Sequence, residues 1–112
     1  MIKKRIRTKN KKEVEPIEVL KGIYRRTLIY NKNLMLCNFK LEKNAEVPIH
    51  HHKEYQIGYV IKGKIKFETE DGEFIAIEGD SYVFESEEKH GAFILEQAEV
   101  IEVFNPARED YV

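Results

Sequence analysis

Tryptophan is absent from this 112-residue chain, cysteine occurs once, and only three prolines and six glycines interrupt it. The lone Cys37 excludes an internal disulfide and offers no Cys-x-x-Cys zinc pair. No run reaches the roughly 18 apolar residues of a membrane span. The first dozen residues are basic without an apolar segment, so no secretory signal is expected, and the reading is a cytoplasmic protein. What remains is 42% hydrophobic and 35% charged, the balance of one soluble domain with a single core. The net charge of −1 hides an asymmetry. Residues 1–12 hold seven Lys/Arg and no acid, while residues 13–112 hold twelve basic and twenty acidic side chains. The expected organisation is a basic, flexible arm over 1–15 and a folded domain over 16–112. An acidic body argues against nucleic acid as a partner, because phosphate contacts need Lys/Arg clustered on the folded face.

Helical periodicity is also missing. No window of the body keeps a 3.6-residue apolar period. Residues 13–20 read as an irregular lead-in, and strands are expected over Ile23 to Tyr30 and Leu34 to Leu41. A central strand should end at Gly63, followed by Lys64 to Glu70, Phe74 to Ile77, Tyr82 to Phe84, His90 to Leu95 and Val100 to Phe104. Asp71-Gly72 is a hairpin signal, since that pair suits positive φ in a type I′ turn. Short strands separated by such turns predict an all-β sandwich or barrel.

The most informative stretch is Pro48 to Gly63, P-I-H-H-H-K-E-Y-Q-I-G-Y-V-I-K-G. Imidazole and amide groups are neutral donors suited to a divalent metal. An extended backbone would send His50, His52 and Gln56 to one face with Gly58 and Val60. Tyr55, Ile57, Tyr59 and Ile61 would point to the other. That second apolar face needs a cover, and a homodimer is the expectation. His51 and Glu54 compete as ligands if the register is irregular.

The spacing resembles the cupins, whose first motif runs Gly, five residues, His-x-His, three or four residues, Glu, six residues, Gly. Here Asn44, His50-x-His52, Gln56 and Gly63 fall at those places. Asn tolerates the left-handed conformation that the first glycine provides. Of the second motif the outer Gly79 and His90 match, whereas Glu85, Glu87 and Ile94 stand where the family has Pro, Gly and Asn. The resemblance implies a single antiparallel cupin barrel and one divalent ion (zinc, nickel, manganese or iron) on His50, His52, Gln56 and His90. Four neutral ligands leave the ion its full charge, which favours Lewis-acid chemistry. Oxygen chemistry more often uses two His and a carboxylate.

The last stretch, V-I-E-V-F-N-P-A-R-E-D-Y-V, places Glu102 inside an apolar strand, where a carboxylate is costly unless paired or functional. Arg108 lies past its end, able to grip a carboxylate or to form a surface ion pair with Glu109 or Asp110. The run is similar to that of the pectin-degradation cupins, which linearise unsaturated uronates. That resemblance implies proton transfer by Glu102, carboxylate binding by Arg108 and a ring pocket shaped by Phe104, with an anionic sugar acid as substrate. Two other readings are a cupin-type polyketide or aromatic cyclase, with Met35, Phe67, Phe84 and Phe93 lining a wide lumen, and a non-catalytic small-ligand-binding cupin.

Overall fold

A computed structural model describes residues 6–112; Lys3, Lys4 and Arg5 of the basic arm lie outside the described residues. Eight strands follow one another: β1 (Ile17–Leu20), β2 (Ile23–Tyr30), β3 (Met35–Leu41), β4 (Glu46–His50), β5 (Tyr55–Thr69), β6 (Gly72–Ile77), β7 (Ser81–Phe84) and β8 (His90–Asn105). Single 3-10 turns stand at Lys11–Glu13 and Glu109–Tyr111. No helix among the described residues is long and apolar enough to cross a membrane. The pairing is antiparallel throughout, in the order β1-β2-β3-β8-β5-β6, with β4 added to β8 and β7 to β5. This is the expected all-β cupin barrel.

Two long strands build it. β5 and β8 pair along most of their lengths and bend together where the register shifts between Val60 and Ile65. Gly63 sits at that corner with φ +98, and a Cβ there would meet the Gln97 carbonyl oxygen at 2.4 Å and the Ala98 Cα at 2.5 Å. Only glycine satisfies both the positive φ and the close approach. Gly63 therefore bends the central strand where the sequence suggested a break. The segments expected at His90 to Leu95 and Val100 to Phe104 are likewise one strand, carried round the same corner.

Other differences are local. The lead-in over 13–20 contains β1, an edge strand with no fully buried residue, so it lacks the alternation that marks a strand in sequence. Ahead of it, Asn10 caps the Lys11–Glu13 turn, Lys11 Nζ donates to Glu99 Oε2 at 3.2 Å, and Arg26 Nε donates to the Val14 carbonyl at 2.9 Å. At the β5–β6 hairpin Thr69 pairs with Gly72, so the turn residues are Glu70 and Asp71, and positive φ falls on Gly72 alone. Asn44 adopts φ +72, as its place in the first motif led one to expect.

Inward residues of β3, β5, β7 and β8 alternate with outward ones and form the core around Cys37, Val60, Ile65, Phe84, Ile94 and Phe104. The inward Cys37 is inert: burial pushes its thiol up to about 11. Tyr55, Ile57, Tyr59 and Ile61 do face outward, each between 39% and 52% exposed.

Candidate functional site

The chain does not stay extended from His50 to Gln56. β4 ends at His50, residues 51–54 form a bend, and β5 starts at Tyr55. The loop nonetheless returns His52 to the same side. His50 pairs with His90 across β4 and β8, and the three rings of His50, His52 and His90 stand 4.4–5.6 Å apart between centroids. One ring nitrogen from each lies within 4.8 Å of the others, so the three could hold a metal ion. His90 is buried and stacks flat on Phe84 at 4.2 Å.

Backbone carbonyls fix the tautomers. Nδ1 of His50 donates to Pro48 at 2.9 Å, Nδ1 of His52 to Glu54 at 2.9 Å, and Nδ1 of His90 to Glu88 at 2.8 Å. A carbonyl oxygen can only accept, so each Nδ1 carries the hydrogen and each Nε2 presents a lone pair. Desolvation, reinforced by its histidine neighbours and Arg108, holds the His90 imidazole down at about 4; burial, then Arg108, lowers that of His52. These two rings are therefore neutral at pH 7, with their Nε2 lone pairs unprotonated.

Gln56 completes the cluster. Its Nε2 donates to Glu102 Oε2 at 2.7 Å, which turns its Oε1 toward His52 Nε2, 3.2 Å away. Two acceptors then face each other at contact distance, and His90 Nε2 is buried with no partner among the described residues. A cation relieves all of these at once, so the donor set fits a divalent ion. His51 is turned away, with Nδ1 at 3.0 Å from Glu87 Oε1 at the surface. Glu54 lies behind His52, its Oε1 3.6 Å from Nδ1, on the wrong side of the ring to ligate with the others.

His50, Gln56, His90, Glu102, Phe104 and Arg108 all line one cavity of about 110 Å³. Glu102 is buried, not at an exposed edge. Desolvation raises its carboxyl above the ordinary carboxylate range, against the lowering effect of hydrogen bonds from Tyr82 and Gln56 and of the Arg108 charge. Phe104 stands edge-on to His52 at 6.0 Å. Arg108 stacks over Tyr111 at 3.9 Å and near Phe104 at 5.3 Å, while its fork donates to Asp110 at 3.0 and 3.3 Å. The ion pair with Asp110, one of two partners open in the sequence, is thus formed at the cavity wall.

Tyr82 and Tyr111 also line the cavity and were not singled out by sequence. Tyr82 reads there as one more aromatic in a short apolar strand. The available signal was Gly58, a glycine inside a strand, which marks a close approach.

Barrel, paired long strands and a histidine cluster at one end of the lumen define a cupin, and a cupin-domain family model matches residues 38–104: the chain belongs to the cupin family. Within it the chain is 32% identical over 93 residues to the pectin degradation protein KdgF of Dickeya dadantii, covering 81% of this chain and 84% of that one. The solved structure of KdgF from a Halomonas species matches with TM-score 0.89 at 30% identity, covering 96% of this chain and all of that one. An RmlC-like cupin from Shewanella frigidimarina matches with TM-score 0.90 at 28% identity over 96% and 97%.

Proposed function

We propose that the protein is a metal-dependent enzyme of pectin breakdown that opens the ring of a 4,5-unsaturated uronate and tautomerises it to a linear keto-sugar acid. The observation that carries this is the wiring of Gln56, whose amide joins the imidazole cluster to Glu102 inside a cavity that also holds Arg108. Similarity to two proteins named KdgF supports the substrate class.

His50, His52, Gln56 and His90 would hold the ion, which when bound would supply Lewis-acid polarisation of substrate oxygens. Arg108 grips the uronate carboxylate with its planar fork after releasing the exposed Asp110. Phe104 packs beside the sugar ring. Glu102 takes the proton of the C1 hydroxyl as the bond from C1 to the ring oxygen breaks, leaving an aldehyde at C1 and an enolate at C5. Return of that proton to C4 converts the enolate to the ketone, so the reaction is an isomerisation without added reactants. Burial suits Glu102 to this work, because a carboxyl raised above its ordinary range is a stronger base for the hydroxyl proton and holds it for return to carbon.

The assay is disappearance of the C4=C5 chromophore of unsaturated monouronates on the metal-loaded protein, with product identified by mass and NMR. Glu102→Ala and Arg108→Ala should each cost at least about 100-fold in kcat/KM. Unchanged turnover in both would sink these roles. The protein also pairs with a second copy through the outward Tyr55, Ile57, Tyr59 and Ile61, extended by Val83 opposite Ile57. Sedimentation of an Ile57→Lys variant should show a lighter species, and an unaltered mass would remove this face from the interface.

A further inference from the structure

Tyr82 on β7, Gly58 on β5 and Glu102 on β8 occupy one register row, Gly58 pairing with both of the others. Adjacent strands in a sheet stand about 4.8 Å apart, so a side chain on β7 reaches one on β8 only by crossing β5. It does so here over Gly58: a Cβ at that position would lie 2.2 Å from Tyr82 Cζ and 2.4 Å from its oxygen. The phenol hydroxyl thereby donates to Glu102 Oε2 at 2.6 Å. Gln56 donates to that same oxygen at 2.7 Å, and Oε1 is left without a hydrogen-bond partner among the described residues, at the cavity wall.

Packing alone does not ask for a hydroxyl there. The Tyr82 ring sits 4.5 Å from Phe67 and 5.8 Å from Phe84, a place that phenylalanine would fill equally well. A buried hydroxyl without a partner is unfavourable, and its partner is the Glu102 carboxylate at the cavity wall. Burial also pushes the phenol well above 10, so it remains a donor at every working pH.

We propose that Tyr82, admitted by the missing side chain of Gly58, is the positioning residue of Glu102, clamping one carboxylate oxygen so that the other is presented to substrate. This rests on the acid/base role proposed above for Glu102. Tyr82 touches no reacting atom; its effect passes through the carboxylate it holds.

The test uses the metal-loaded full chain. Tyr82→Phe should lower kcat roughly 10- to 100-fold, the usual scale for a catalytic group misplaced by about 1 Å, with KM within twofold and metal content unchanged. Gly58→Ala, which drives the phenol aside, should reproduce that loss. In a Glu102→Gln background Tyr82→Phe should cost less than twofold more. Turnover of Tyr82→Phe within twofold of the unaltered protein, or an equal loss with and without Glu102, overturns the proposal. A crystal structure of metal-loaded Tyr82→Phe decides the matter independently of activity. The Glu102 carboxylate should be rotated or split between rotamers there, and an unmoved carboxylate overturns the clamp. If the unaltered protein leaves uronates intact, the substrate reading fails while this crystallographic result still stands or falls by itself.

Discussion

The two halves of the cavity are built on opposite principles. At the His50, His52 and His90 end every Nδ1 is tied to a backbone carbonyl and lone pairs converge, with Gln56 Oε1 adding another. That half gathers neutral donor atoms of the kind that could hold a divalent ion. At the Glu102 end the protein supplies partners of its own, because Tyr82 and Gln56 both donate to Oε2 of the carboxylate and Arg108 is already paired with Asp110. The difference teaches that the first half is suited to receive a cation and the second is held by the fold. Gln56 is the hinge between them. It also explains why glutamine stands where the family motif has glutamate, since a carboxylate at 56 would lie 2.7 Å from that of Glu102 and both could not stay ionised.

The sharpest way to break this contrast is to remove one member from each half and measure metal. His90→Ala deletes the buried imidazole of the proposed site and should leave less than about a tenth of an ion per chain after dialysis, with turnover down by 1000-fold or more. Glu102→Gln keeps the Gln56 contact and should retain nearly a full ion while losing roughly 100-fold or more in kcat. Elemental analysis of the two proteins separates the halves; equal metal loss in both would mean that they are one unit.

Some of this contrast is visible in the sequence and some is not. The histidine half is legible because ligand chemistry restricts residue types, so histidines at a fixed distance from Gly63 stand out. Its geometry was nonetheless reached by a different route, since His52 returns through a bend and not along an extended strand. The strands are legible wherever one face is buried, and β1 escaped because neither of its faces is. The union of the last two strand segments escaped because outward Glu96 and Gln97 interrupt the apolar run at the corner that Gly63 creates. Tyr82 was invisible for a physical reason: in sequence a clamp and a core aromatic are the same letter, and only the register row with Gly58 tells them apart.

A second way to sharpen the comparison is acid. In chelator-treated protein an unfolded histidine takes up a proton near 6.5, whereas the folded His90 resists until about 4. Across that window the unfolded chain binds more protons, so stability falls as pH is lowered. Glu102 has the opposite sign: its folded carboxyl is raised, so the native state takes up the proton first and gains stability on acidification. The melting temperature of the metal-free protein should therefore drop by roughly 5–10 °C between pH 7.5 and 5. Glu102→Gln should start higher at pH 7.5, relieved of a buried charge, and fall further. A smaller fall in Glu102→Gln than in the unaltered protein would reverse the sign assigned to the carboxylate.

The smallest effect belongs to Asp110, the one residue that makes the Glu102 half self-contained at its rim. Its carboxylate receives both Nε and Nη2 of Arg108, the bidentate geometry that a substrate carboxylate would require. Asp110 is 64% exposed, and ion pairs of that kind contribute at most about 1 kcal/mol. Substrate can therefore displace it at little cost, while Arg108 keeps its stacking on Tyr111. Asp110→Asn frees the fork and should lower KM for an unsaturated uronate by about two- to fivefold, the equivalent of that energy, with kcat unchanged. A raised KM would show instead that Asp110 aims Arg108 at its substrate, and that this half of the cavity too is suited to receive a ligand.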